Sequence, residues 1–155
     1  MLKYVDTKVT FSEVPEEISL CISLSGCPYK CKGCHSSYLQ EDVGTELTEE
    51  VLSKLINDNP GITCVCFMGG DNDVLNLYLL IKYVKEHYKL KTCWYSGNTN
   101  MPNTESNIYQ MLDFIKLGPY IEKNGPLTSP TTNQRFYKKH AGDIFIDITS
   151  IFFKK

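Results

Sequence analysis

The stretch that decides the fold of this 155-residue chain is "ITCVCFMGGDNDVLNLYLLIKYVKEHYKLKTCWYS", residues 62–96. Its two ends, residues 62–68 and 91–96, are apolar runs of the kind that form buried strands. Between them, apolar residues recur with the i, i+3, i+4, i+7 spacing of a helix that packs on a sheet, namely Val74, Leu77, Tyr78, Ile81, Val84 and Tyr88. The stretch therefore predicts a strand, a helix and a second strand in succession.

Similar elements flank this unit on both sides. Further strands are predicted at 18–25, 114–117 and 143–149, with a weaker sixth candidate at 3–11. A helix is predicted after Thr48, a favourable N-cap, and another from Thr104. Residues 117–137, rich in Gly, Pro, Thr and Asn, are predicted to form a long ordered loop. Alternating strands and helices predict a single α/β domain over residues 1–155, with a mostly parallel sheet of about five or six strands and crossover helices.

Composition and charge limit the class of function. The hydrophobic fraction of 42%, the charged fraction of 22% and the net charge of -2 are ordinary for a soluble domain and give no basic footprint for nucleic acid. No apolar run approaches the ~20 residues that a membrane-spanning helix needs, and the N-terminal segment lacks the apolar core of a signal peptide. We therefore expect a cytoplasmic protein that binds neither nucleic acid nor a membrane.

Three of the seven cysteines, Cys27, Cys31 and Cys34, lie within the segment "CPYKCKGC". In a reducing cytosol, thiols stay free for metal binding or catalysis. A structural zinc site normally has four protein ligands, so a zinc-binding interaction module would need Cys21 or His35 as the fourth. Three thiolates can instead hold a [4Fe–4S] cluster and leave one iron open to a small molecule. We prefer the iron–sulfur cluster and keep zinc as the alternative. The other four cysteines fall in predicted strands and are predicted to be core residues, namely Cys21, Cys64, Cys66 and Cys93.

Other conspicuous residues follow the predicted strands. They are Gly69, Gly70 and Asp71 after one strand, Ser96, Gly97 and Asn98 after the next, and Lys116 and Gly118 at the end of a third. Sites in parallel α/β folds form at the carboxyl ends of strands, so these residues are expected to line one rim with the cysteines. Paired glycines let the backbone approach a ligand, and a carboxylate such as that of Asp71 can accept a hydrogen bond from an ammonium group.

The spacing Cys-x3-Cys-x2-Cys resembles that of the radical S-adenosylmethionine (SAM) enzymes. The resemblance implies a [4Fe–4S] cluster whose open iron is chelated by the methionyl part of SAM, and reductive cleavage of SAM to a 5′-deoxyadenosyl radical. One position departs from the common pattern, because the residue before the third cysteine is often aromatic in that superfamily and is Gly33 here.

The same resemblance implies roles for the residues that follow the strands. The triplet Gly69, Gly70 and Asp71 looks like the Gly-Gly-Glu segment that holds the SAM amino group, shortened by one methylene. The turn at 96–98 would lie near the ribose or the methionine, and Lys116 would pair with the methionine carboxylate. No acid or base residue is implied, so no catalytic side chain is predicted.

Within that superfamily the chain resembles the activating enzymes of anaerobic, class III ribonucleotide reductases. The resemblance rests on "GCPYKCKGCH", on the short chain and on the loop "GPLTSPTTNQRFY" at 125–137. It implies a partial (βα) barrel of the radical SAM type, open on one side to a protein loop. An external one-electron donor such as flavodoxin or ferredoxin would supply the electron, and a glycine Cα of the reductase would lose a hydrogen to become a glycyl radical. An activase of another glycyl-radical enzyme, of the pyruvate formate-lyase type, is the alternative within the superfamily.

Overall fold

The computed structural model describes residues 1–34 and 37–153, so His35, one candidate for a fourth zinc ligand, lies outside the described residues. The strands of this part are β1 (Lys3–Thr10), β2 (Ser19–Leu24), β3 (Thr45–Glu46), β4 (Cys64–Met68), β5 (Lys91–Tyr95), β6 (Phe114–Leu117), β7 (Arg135–His140) and β8 (Ile144–Asp147). The α-helices there are α1 (Glu49–Asn57), α2 (Val74–His87) and α3 (Asn107–Met111), with 3-10 turns at Ser37–Gln40, Glu122–Asn124 and Thr149–Phe152.

The prediction of a partial (βα) barrel with a mostly parallel sheet of five or six strands is wrong. All eight strands described form one sheet in the order β3-β1-β2-β4-β5-β6-β7-β8. Within it, the pairs β1–β2, β1–β3, β6–β7 and β7–β8 are antiparallel, whereas β2–β4, β4–β5 and β5–β6 are parallel. Across the described ranges, antiparallel pairs thus outnumber parallel ones, the helices are few and short, and the sheet has two separate edges.

Two of the four antiparallel pairs, β1–β2 and β7–β8, arise where connections are short. The segments 11–18 and 141–143, which join β1 to β2 and β7 to β8, hold no helix. A parallel connection needs a crossover of a dozen or more residues, so these neighbouring strands fold back on each other instead. The predicted loop at 117–137 is also wrong at its end, because Arg135, Phe136 and Tyr137 begin β7 and pair with β6.

The helices begin at capping side chains. The helix predicted after Thr48 is confirmed, since the Thr48 hydroxyl oxygen accepts a hydrogen bond from the backbone N–H of Val51 at 3.1 Å. The prediction that a helix begins at Thr104 is wrong by a few residues. Ser106 is the N-cap of α3, and its hydroxyl oxygen accepts from the N–H of Tyr109, so the helix begins at Asn107. No helix in 1–34 and 37–153 combines the length and apolarity that crossing a membrane requires.

The two faces of the sheet are buried by different elements. On one face, α2 packs Leu77 and Ile81 against Val65 and Phe67 of β4 in the larger core. On the other face, Cys21, Cys66 and Cys93 stand in register across β2, β4 and β5, and with Cys64 they belong to a second core that includes Val14, Phe114 and Phe136. The prediction that these four cysteines are core residues is confirmed, because each is at most 1% exposed. Burial raises the pKa of Cys64 to about 12, which keeps this thiol protonated.

Side chains alternate between the two faces along a strand, so the next residues on the cysteine-bearing face lie two positions further along each strand. These are Ser23, Met68, Tyr95 and Lys116, which also stand in register across β2, β4, β5 and β6. They lie at the carboxyl ends of the four parallel strands. These four side chains form the part of the sheet that the candidate site covers.

Candidate functional site

A cavity of about 510 Å³ lies over this row of side chains. Its rim is formed by the segment after β2, which carries the three clustered cysteines, and by the turns after β4 and β5. Further lining comes from Ser12 and Glu13 before β2, from the loop at 126–128 and from Phe152. The cavity is therefore bounded by the sheet and by segments from distant parts of the chain, and it is partly open to solvent.

Cys27, Cys31 and Cys34 all line this cavity as free, partly exposed thiols. Backbone hydrogen bonds shape their loop, since the N–H of Cys27 donates to the carbonyl of Leu39 at 2.9 Å and the N–H of Cys34 donates to the carbonyl of Cys31 at 3.2 Å. Three thiols beside a cavity are a donor set that fits a [4Fe–4S] cluster with one iron open. Among residues 1–34 and 37–153, no group of three or more His, Cys, Asp and Glu side chains is placed to hold a single metal ion.

Gly33 departs from the common pattern for a local steric reason. Its φ of +76° lies in the left-handed region, and a Cβ at this position would come within 2.8 Å of the Glu122 carboxylate. The side chain of Glu122, in the 3-10 turn Glu122–Asn124, thus lies against the cysteine loop. An aromatic side chain at position 33 would strain the backbone at this φ and would need the Glu122 side chain to move aside.

Gly97 is held close to the cysteine loop by an aromatic ring. A Cβ on Gly97 would lie 2.5 Å from the ring of Tyr29, the residue between Cys27 and Cys31 that also lines the cavity. Gly97 is not in the left-handed region, so the constraint here is space. The contact fixes the position of the cysteine loop relative to the turn after β5.

Replacing Gly97 with alanine is expected to displace Tyr29 and loosen the cysteine loop, because the new methyl group would overlap the ring. We expect faster amide hydrogen exchange over residues 27–34 and a several-fold lower iron content after anaerobic reconstitution. In the double variant G97A/Y29A the overlap is gone, so the exchange rate should return toward that of Y29A alone. Equal exchange rates in G97A and the wild-type protein would show that the contact does not order the loop.

The two glycines after β4 have different surroundings. Gly69 and Gly70 have φ values of +113° and +97°, which a residue with a side chain adopts at a cost. Gly69 lines the cavity, and its carbonyl accepts a hydrogen bond from the Trp94 indole N–H at 2.8 Å. Gly70 is buried between Leu24 and Leu77. Gly70 is thus not among the described residues that line the cavity. A contact between its backbone and SAM stays a prediction.

Asp71 joins two rim segments. One carboxylate oxygen accepts a hydrogen bond from the Ser96 hydroxyl, and the other accepts from the Gly97 N–H at 3.2 Å. Asp71, Ser96 and Gly97 all line the cavity. Burial raises the pKa of Asp71, and the hydrogen bonds from Ser96 and Gly97 oppose this rise. Asn98 is exposed and is not among the described lining residues; its side chain accepts from the N–H of Asn100 and so stabilises the turn.

Lys116 brings a buried ammonium group to the same cavity. Its side chain is 8% exposed, and Nζ donates to the carbonyl of Gly118 at 3.0 Å. The Tyr95 ring lies 5.7 Å from Nζ, at the outer limit of a cation–π contact. Burial lowers the pKa of Lys116 to about 8, and the charge of Asp71 opposes this fall. The cavity therefore combines three thiols, the Asp71 carboxylate and the Lys116 ammonium group, and Glu13 also belongs to its lining.

Several lining residues were not identified from the sequence. Tyr95 lies two residues after Cys93 on the same face, so strand alternation is a signal that could have found it. Its hydroxyl donates to the carbonyl of Glu13, which reaches the cavity from the connection before β2. Glu13 lies in no recognisable motif, and no local pattern in the sequence connects it to the cysteines.

Comparison with known proteins gave one match. A family model described as "4Fe-4S single cluster domain" matches residues 17–137. No curated protein and no solved structure matched the chain. The matched span contains the three clustered cysteines, Asp71 and Lys116, and ends before β8.

Proposed function

The chain belongs to the family of 4Fe–4S single cluster domains, and on that premise we propose that it is a radical SAM activase of an anaerobic ribonucleotide reductase. In this proposal Cys27, Cys31 and Cys34 hold a [4Fe–4S] cluster, and the cavity beside them binds SAM. The observation that carries the proposal is the presence of three free thiols, a carboxylate and an ammonium group around one cavity. A metal site alone would not need the two opposite charges.

The proposed reaction takes one electron, SAM and a glycine of the reductase to methionine, 5′-deoxyadenosine and a glycyl radical. The cluster, when bound, supplies the electron that breaks the bond between the SAM sulfonium and its 5′ carbon. The glycine loses one hydrogen atom from Cα, and that hydrogen ends on the 5′ carbon of 5′-deoxyadenosine. An external one-electron donor restores the electron. The side chains of this chain therefore act by placing and shielding the reactants rather than by moving protons.

Two charged residues suit the methionine end of SAM. Asp71 accepts hydrogen bonds from Ser96 and Gly97, and its oxygens have further lone pairs for the SAM ammonium group. Lys116 donates one of its three N–H bonds to Gly118, which leaves donors for the SAM carboxylate. The apolar surfaces of Met68 and Tyr95 line the same cavity and would exclude water from the reacting atoms.

SAM affinity is expected to fall as the pH rises through about 8, because burial lowers the pKa of Lys116 to about 8. Below that pH the ammonium group is charged and can pair with the SAM carboxylate; above it, the neutral amine cannot. The fall in SAM affinity should approach about tenfold per pH unit until the pH reaches the pKa of Lys116 in the SAM-bound protein. Equilibrium dialysis of reconstituted protein with labelled SAM between pH 7 and 9 would measure this. Lys116→Met should bind SAM more weakly and lack this pH dependence.

Anaerobic reconstitution followed by three assays tests the proposed function. Iron and sulfide analysis should give a four-iron cluster, and dithionite with SAM should give 5′-deoxyadenosine. Electron paramagnetic resonance should then detect a glycyl radical on an anaerobic ribonucleotide reductase but not on a pyruvate formate-lyase. Stoichiometric zinc with no iron would instead favour the zinc-binding interaction module. A radical on the lyase alone would favour the other class of activase.

A further inference from the structure

A shallow cleft of about 600 Å³ opens on the surface beside the cysteine loop, lined by Lys32, Tyr120, Ile121, Glu122 and Lys123. Lys32 lies between Cys31 and Cys34, so one wall of the cleft is the cysteine loop itself. Tyr120 lines both this cleft and the main cavity and therefore belongs to the wall that they share. The cleft therefore borders the loop that carries the three clustered thiols.

The two lysines that line this cleft differ from most of the other lysines that the structure describes. Lys32 and Lys123 are exposed, and in the described residues neither of them lies within 4.0 Å of a carboxylate oxygen. Other lysines do pair with a carboxylate, namely Lys3, Lys8, Lys54, Lys82, Lys85, Lys91 and Lys139. In a chain with a net charge of -2, the cleft therefore carries two lysines against the single carboxylate of Glu122.

We propose that this cleft docks an acidic one-electron carrier protein, the donor that the proposed function requires. The inference rests on that proposed function, since a cluster that accepts no electron needs no donor. Lys32 and Lys123 would attract acidic residues around the carrier's redox centre, and the partly exposed Tyr120 and Ile121 would form an apolar centre for the contact. Docking here brings the carrier against the loop that bears the cluster ligands.

The electron balance of this step is simple. The reduced carrier loses one electron and is oxidised by one unit, and the cluster held by the three cysteines gains that electron. No bond is formed or broken, and no proton is transferred. A second copy of this chain docked through the same cleft is a poor occupant, because the lysines of the two clefts would repel each other. Nucleic acid would need a wider basic surface than two lysines beside Glu122 provide.

Charge reversal at the cleft tests the proposal. We would compare wild-type protein, K32E/K123E and the matched control K89E/K138E, whose lysines are also exposed and without a carboxylate within 4.0 Å in the described residues. The probes are fully reduced flavodoxin and reduced [2Fe–2S] ferredoxin. Binding is measured by calorimetry at low and high salt, and cluster reduction by the rate at which its paramagnetic signal appears after mixing.

We expect the carrier to associate with K32E/K123E, and to reduce its cluster, at least about tenfold more slowly than with the control. This difference lies within the ~10–10³ range of electrostatic steering. High salt should reduce the wild-type rate toward that of the variant. The cluster should remain reducible by dithionite in all three proteins, and its potential is measured in each, because reversing the charge beside Cys31 lowers that potential and the carrier rates must be compared at equal driving force. Equal carrier binding in all three proteins, or no salt-dependent binding of either probe, would overturn the proposal. Failure of the proposed function would appear separately, as absence of 5′-deoxyadenosine with dithionite.

Discussion

Replacing Cys31 with serine is expected to leave a folded protein that neither retains a [4Fe–4S] cluster nor cleaves SAM. The thiolate is the ligand that iron requires, and a serine hydroxyl stays protonated at neutral pH and cannot replace it. Iron and sulfide after anaerobic reconstitution should fall to background. Formation of 5′-deoxyadenosine should fall at least about a thousandfold, which is a small part of the ~10⁶-fold or greater acceleration typical of enzymes. Cys31 is partly exposed in a loop, so urea unfolding of the metal-free protein should not change.

The matched control removes a buried thiol. Cys64 is fully buried in β4, on the sheet face that carries the second core, and Cys64→Ala deletes one sulfur there. This change should lower the free energy of unfolding by about 1 kcal/mol and leave the iron content unaltered. Retention of a four-iron cluster by Cys31→Ser, or equal loss of iron by both variants, would remove the basis for assigning the clustered cysteines as ligands.

Local patterns in the sequence predicted the elements whose burial is periodic. In α2, Leu77 and Ile81 recur at helical spacing because one side of the helix packs on the sheet, and this packing is visible in the order of residues. In β4, Val65 and Phe67 are fully buried in one core and Cys64 and Cys66 in the other, which makes an apolar run that is easy to recognise.

The direction of strand pairing could not be predicted in the same way. β1 lies next to the edge of the sheet and pairs on its outer side only with the two-residue β3, and it contains exposed Val5 and Val9 and shows weak alternation. Whether such a strand pairs parallel or antiparallel depends on the length of its connection and on which neighbour is available, and the same holds for β7 and β8. The residues of the strand itself indicate neither the length of its connection nor which neighbour is available.

Part of the candidate site could likewise be predicted from the sequence, and part of it could not. Because β4, β5 and β6 are parallel neighbours, residues just after or at their ends meet, and the structure brings Gly69, Asp71, Ser96, Gly97 and Lys116 to one cavity. Asn98 lies in the same turn but is exposed and is not among the described lining residues, and its side chain accepts a hydrogen bond from the N–H of Asn100 instead. Glu13 reaches the cavity from a distant segment, and such a tertiary contact has no signal in its neighbours along the chain.

Asp71→Asn is expected to weaken SAM binding strongly while leaving the cluster in place. The asparagine side chain can accept a hydrogen bond from Gly97 and donate one to the Ser96 hydroxyl, so the local structure should survive, but the negative charge is lost. Loss of one partner from a buried charge pair costs about 2–5 kcal/mol, which corresponds to a fall in SAM affinity of about 30-fold or more. Equilibrium dialysis of the reconstituted protein with labelled SAM measures this, and iron analysis checks the cluster.

Asp73→Asn is the matched control, because Asp73 is the N-cap of α2 and asparagine caps a helix equally well. Its SAM affinity should equal that of the wild-type protein. Asp71→Asn should also move the pH dependence, since the Asp71 charge opposes the fall in the pKa of Lys116. Without it the pKa of Lys116 falls further, so SAM affinity should begin to decrease at a lower pH than in the wild-type protein. Wild-type affinity in Asp71→Asn would mean that the SAM ammonium group is held elsewhere, and an unshifted pH profile would mean that the Asp71 charge does not act on the pKa of Lys116.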